Sequence, residues 1–90
     1  MTKTIITVLG KDTVGIIARV CTYLADNKVN ILDITQTITG GYFNMMMVTD
    51  ASACEKKLAD LSDELTALGE EMGLSIRCMQ EDIFSAMHRI

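Results

Sequence analysis

Residues 10–15 read Gly-Lys-Asp-Thr-Val-Gly and join an apolar run to an amphipathic one. A glycine-rich turn that opens a helix presents main-chain N–H groups at the positive end of the helix dipole, and these attract a carboxylate. Asp12 can accept a hydrogen bond from an ammonium group. Together they suit the two ends of an amino acid. The same residues also have purely local uses. Gly10 can relieve a tight turn, Gly15 can let the helix approach a sheet, and Asp12 or Thr13 can cap the helix. Asn30 stands at a later strand start, where its amide holds a ligand or satisfies a neighbouring backbone group.

The other residues able to do chemistry form no constellation. Met45, Met46 and Met47 carry thioethers that suit soft metals. Neighbours on a strand face opposite ways, however, so the triplet reads as core filling. Cys21, Cys54 and Cys78 lie on apolar stripes without C-x-x-C spacing, and with His88 they compose no metal motif. They are expected to be buried, reduced and structural. His88 is the one histidine, and no nucleophile, oriented base and third group assemble around it. The expectation is a non-enzyme with no catalytic residue, no metal and no cofactor.

Ninety residues with a net charge of −4 allow one core. The expected layout is a single domain over 1–90, with its core at about 3–82 and a tail at 83–90. The lysines and arginines are scattered, and the acidic balance argues against nucleic acid or an anionic membrane as partner. No apolar run approaches the roughly 18 residues of a membrane span. The N-terminus lacks a signal-peptide layout, so the expected location is cytoplasmic.

Stepping outward from the loop, residues 3–9 are apolar on both faces, Ile6 and Val8 against Ile5 and Leu9, as in a central strand. Ile16, Ile17, Val20, Cys21 and Leu24 recur at helical spacing, with Asn27 as a left-handed stop. A second strand spans 29–39, with Ile31 on one face and Leu32, Ile34 and Ile38 on the other. Gly40-Gly41 signals a two-residue hairpin, and 42–49 returns as a third strand. Ser52-Ala-Cys-Glu55 has a capping-box pattern. After it, Cys54, Leu58, Leu61, Leu65, Leu68 and Met72 form a five-turn helical stripe that Gly69 interrupts and Gly73 ends. Residues 74–80 make a fourth strand, and Ile83, Phe84, Met87 and Ile90 suggest a short tail helix. The order βαββαβ predicts an α+β, ferredoxin-like fold: a four-stranded antiparallel sheet with two helices on one face.

Over residues 3 to about 82 the chain resembles the ACT domain, a small regulatory module that senses amino acids. The resemblance rests on Val8-Leu9-Gly10-Lys11-Asp12-Thr13-Val14-Gly15-Ile16, on Val29-Asn30-Ile31 and on the element order. It is most similar to stand-alone bacterial ACT proteins and to regulators of the glycine-cleavage type. In that family the ligand sits between the first loop and the second strand, at a seam between two domains. The resemblance therefore implies Gly10, Asp12, Thr13, Val14, Gly15, Ile16, Asn30 and Ile31 as ligand-binding residues. Serine-sensing members have histidine where Gly10 stands and asparagine where Asp12 stands, so serine itself is not implied.

Other proteins with this element order fit less well. Acylphosphatases need an arginine where Lys11 stands, heavy-metal carriers a C-x-x-C in the first loop, and RNA-recognition domains aromatics on the first strand. The expected function is a regulatory module binding an amino acid or similar small ligand, acting on an unknown regulatory target. A ligand-free interaction adaptor is the alternative. Apolar residues on both sheet faces further predict a homodimer or larger assembly.

Overall fold

The computed structural model describes residues 3–11 and 14–82. Within them the order is β1 (Lys3–Lys11), α1 (Ile16–Asp26), β2 (Asn30–Thr39), β3 (Tyr42–Asp50), α2 (Leu58–Met72) and β4 (Leu74–Gln80). All neighbouring strands are antiparallel, in the order β2-β3-β1-β4. The ferredoxin-like fold expected from the sequence is therefore present. The tail stripe of Ile83, Phe84, Met87 and Ile90, and the tail helix expected there, lie outside the described residues.

Strand alternation builds the core. Ile6 and Val8 of β1, Phe43, Met45 and Met47 of β3, and Leu74, Ile76 and Cys78 of β4 are buried on one sheet face. Against them pack Ile16, Val20 and Leu24 of α1 and Leu61 and Leu65 of α2. Met45 and Met47 enter the core while Met46 turns out on the opposite face. Beneath the helices, Thr4 and Thr49 bond through their hydroxyls, and Thr49 Oγ1 also donates to the Thr4 carbonyl at 3.2 Å. That satisfies two fully buried polar side chains.

Four local expectations are corrected. The capping box at Ser52–Glu55 does not form, because α2 begins only at Leu58 and Lys57 precedes it without a side-chain cap. Instead the Asp50 carboxylate accepts the Ser52 N–H at 3.0 Å and the Ser52 hydroxyl, a local turn that competes with helix. Cys54 thus lies ahead of the helix rather than on its stripe. Asn27 is not left-handed, with φ −99°; Lys28 is, with φ 59°. The N–H groups of Lys28 and Val29 then reach the carbonyls of Ala25 and Leu24. That is a Schellman ending, closed by burial of both Val29 and Leu24.

The third correction concerns β2. A register shift between Ile31 and Asp33 inserts a bulge at Leu32, which changes the alternation of everything after it. Ile31, Ile34 and Ile38 lie opposite Thr49, Met47 and Phe43, so all three face the helix side. Ile34 and Ile38 do not oppose Ile31 as expected. The fourth concerns the thiols: Cys78 is buried, but Cys21 and Cys54 are only half-buried.

Candidate functional site

The loop between β1 and α1 is the one place where the sequence offers two polar ligand groups together. Gly10 lies opposite Phe43 of β3 and, as the last pair with β4, opposite Leu74. A Cβ there would stand 2.5 Å from Leu74 Cδ2 and 3.3 Å from the Gly73 carbonyl oxygen. Gly10 is therefore a close-packing residue on an extended strand. Gly15 is the conformational one. It precedes α1 with φ 88°, and among the described residues beyond its chain neighbours no atom lies within 4 Å of where a Cβ would stand. The two local roles that the sequence suggests for these glycines are thus exchanged.

Gly15 also fixes how α1 begins. No side chain among the described residues caps the helix, and no acidic residue stands in its first turn. The Gly15 carbonyl accepts the Arg19 N–H at 2.9 Å. The first-turn N–H groups point the other way, toward the loop, as helix geometry requires. Val14 is fully exposed beside them, whereas the Ile16 side chain is in the core. Only the main chain of Ile16 can serve a ligand. Asp12 and Thr13 lie outside the described residues.

Asn30 and Ile31 stand elsewhere. Asn30 begins β2, opposite Asp50, and is exposed; Ile31 is half-buried. Across the sheet, Asn30 aligns with Asp50 and Lys3, whereas Lys11 aligns with Tyr42 and Thr39. The loop leaves one end of the sheet and Asn30 enters at the other. A ten-residue strand at about 3.3 Å per residue separates those ends by roughly 30 Å. One chain therefore brings Gly10, Val14, Gly15 and Ile16 together and keeps Asn30 and Ile31 apart from them.

Beside the loop, Gly15, Ala18, Arg19, Thr22, Tyr23 and Leu68 line a shallow groove of about 420 Å³ between the helices. Arg19 donates from the first turn of α1 to Glu71 at 3.1 Å. The Tyr23 hydroxyl donates to Glu64 at 2.7 Å, and Lys56 reaches the same carboxylate. The Lys56 and Tyr23 bonds hold the Glu64 carboxyl below its usual range, while burial and the Glu64 acceptor push the Tyr23 phenol up. These contacts span 41 residues or more along the chain for α1 to α2. No local pattern could have revealed them. Among the described residues no group of three His, Cys, Asp or Glu side chains is placed to hold a metal, and His88 is not among those residues. No described helix is long and apolar enough to cross a membrane.

Fold and loop together define a class: a ferredoxin-like βαββαβ domain whose first strand runs into a glycine-started helix that no described side chain caps. Comparison with known proteins gives the family. An ACT domain model matches residues 2–79, and the chain belongs to that family. A UPF0237 protein of Bifidobacterium longum is 57% identical over 90 residues, covering all of both chains. The solved ACT domain protein from Streptococcus pneumoniae superposes with a TM-score of 0.82 at 38% identity, over 97% of this chain and 98% of that one. A formyltetrahydrofolate deformylase from Pseudomonas syringae shares the fold, with a TM-score of 0.82 at 23% identity, over 89% of this chain and 28% of that one.

Proposed function

We propose that the chain is a small regulatory module, without catalytic activity, that binds an amino acid or a similar zwitterion at its first loop. It would work as a homodimer or larger assembly, in the cytoplasm, where its three free cysteines stay reduced. The ligand carboxylate would be received by the main-chain N–H groups of residues 13–16, and the ammonium group by Asp12. Gly10 would let the strand end pass close to Leu74, and Val14 would flank the ligand. Asn30 and Ile31 would come from a second copy, since those of the same chain begin roughly 30 Å away.

The observation that carries the proposal is the start of α1. Gly15 holds φ 88°, and no described side chain occupies the first-turn N–H groups. First-turn N–H groups that no described side chain occupies are donors an anion can take. Membership of the ACT family, whose members commonly act as regulatory ligand-binding modules, supports the same assignment. A ligand bound at a seam shifts the assembly only by its differential affinity for two arrangements of the subunits.

Isothermal titration with each common amino acid tests this. Heat is expected with at least one. Asp12→Ala should then weaken that ligand by about 1.5–3 kcal/mol, the worth of a charge-assisted hydrogen bond. Unchanged affinity in Asp12→Ala would move the site elsewhere. No heat with any amino acid would favour the ligand-free adaptor.

A further inference from the structure

Alternation along β1 puts Ile5 on the open face of the sheet, with Met79 of β4 and Val48 of β3 beside it. Both helices pack on the other face. Ile5 is nevertheless only 5% exposed. Among the described residues it is the one buried apolar side chain that does not join the continuous core. Met79 and Val48 are half-buried.

Neighbours within the sheet do not account for this. Side chains stand roughly perpendicular to a sheet, so residues on adjacent strands shield the flanks of a side chain and leave its tip to whatever lies above. Farther along the same face, Met46 between Thr7 and Thr35 is 39% exposed, and Leu9 between Asn44 and Ser75 is 52% exposed. Val48 and Met79 are bulkier neighbours than these, but they too shield only flanks. Tyr42, farther still, is 53% exposed. Burial on the open face thus rises toward one end, where β4 finishes at Gln80 opposite Thr4.

Residues 83–90 follow from that end. Glu81 and Asp82 are already helical, so the chain leaves the strand at once. The Glu81 carboxylate lies 3.7 Å from Lys3 Nζ, and Lys3 shares the open face with Ile5 by alternation. The chain therefore turns toward β1 on the open side. Beyond it, Ile83, Phe84, Met87 and Ile90 recur at i, i+1, i+4 and i+7, one face of a helix. A helix over 81–90 spans about 15 Å. With strands about 4.8 Å apart, it reaches from β4 across β1 to β3, the width of the buried row. Met1 and Thr2 bring one large apolar side chain to the same end, too little for three strands, and 12–13 follow Lys11 at the other end.

We infer that residues 83–90 fold back as an amphipathic helix over Met79, Ile5 and Val48 of their own chain, a built-in cover for that half of the open face. Ile83, Phe84, Met87 and Ile90 lie against the sheet, and Ser85 and Arg89 turn to water. Leu9, Met46 and Tyr42 stay bare at the end near the first loop. A second sheet can stack on the covered half only when the cover is displaced. The inference stands on the sheet face and is independent of the proposed ligand site.

The chain has no tryptophan, so Phe84→Trp supplies a single indole on the cover. Its folded emission is expected well to the blue of the unfolded chain's, with several-fold weaker quenching by acrylamide. Adding Ile5→Ser, with circular dichroism confirming the fold, should shift the emission to the red and raise the quenching. Val48→Ser serves the same purpose if Ile5→Ser does not fold. Adding Leu9→Lys, on the bare half, should change neither reading. Refolding the Phe84→Trp chain with a large excess of Ile5→Ser chains that lack tryptophan tells whose face is covered. Unchanged emission is expected, because each tail lies on its own chain. A red shift in that mixture would place the tail on a partner and overturn the inference. So would an indole as exposed when folded as when unfolded, a tail that the Ser variants leave in place, or release by Leu9→Lys.

Discussion

Leu74 decides what Gly10 is for. Its Cδ2 atom takes the space of a Cβ at position 10, so that glycine is a matter of packing, while Gly15 is a matter of backbone angle. The sequence suggests the reverse assignment, and the strand opposite Gly10 decides between them. The cysteines divide in the same way. Burial raises the Cys78 thiol to about 11, whereas Cys21 and Cys54 are half-buried. At mildly alkaline pH a thiol reagent should modify Cys21 and Cys54 well before Cys78, followed by mass spectrometry of peptides. Fast labelling of Cys78 would mean that β4 opens readily. The sign of the linkage is also fixed. Cys78 stays protonated when folded and ionises earlier when unfolded, so the unfolded chain holds fewer protons at high pH. This thiol's contribution to stability is whole below about 8.5, the ordinary cysteine range, and is lost as pH rises toward about 11.

At the scale of elements, Gly69 shows how a helix can need its poorest former. On propensity alone, alanine there would stabilise α2 by about 1 kcal/mol. A Cβ would however lie 2.8 Å from the Leu74 carbonyl oxygen and 3.1 Å from the Ile76 N, and backbone atoms do not move aside cheaply. Gly69→Ala should be net destabilising, by about 1–3 kcal/mol in urea unfolding. Gly10→Ala should cost less, because its closest obstacle is the end of the Leu74 side chain. A stabilised Gly69→Ala would show that α2 and β4 pack less tightly than described. Much of this architecture was legible. Strand alternation and the 3.6-residue stripes located all six elements, and Gly40 and Gly41, both with positive φ, turn the hairpin between Thr39 and Tyr42. What escaped were contests between local bonds. Asp50 captured Ser52, delaying α2, and the bulge at Leu32 reversed the faces of Ile34 and Ile38. A bulge leaves no mark in a strand of isoleucines and threonines, where either alternation is plausible. The loop residues of the candidate site were legible from their types. Their separation from Asn30 was not, because it follows from strand register.

For the whole molecule, the proposed homodimer predicts that stability depends on concentration. Whatever binds only the folded chain stabilises it by mass action, so the thermal midpoint should rise as protein concentration rises. A midpoint that does not move over two decades of concentration would argue for independent chains. The ion pairs Lys3–Glu81, Arg19–Glu71, Lys28–Glu55 and Lys56–Glu64 all have substantially exposed side chains. Solvent screens such exposed pairs, so each contributes little and salt should shift the midpoint little. The placement of the loop and Asn30 at opposite ends of the sheet also has a genetic consequence. In a symmetric pair with shared sites, each site draws Asp12 from one chain and Asn30 from the other. Chains carrying only Asp12→Ala and chains carrying only Asn30→Ala would each form pairs in which both sites are damaged. Mixed pairs would gather both lesions into one site and leave the other whole. Two inactive alleles, expressed together, would then restore half the binding sites in every mixed pair, an intragenic complementation that a site contained within one chain could never produce.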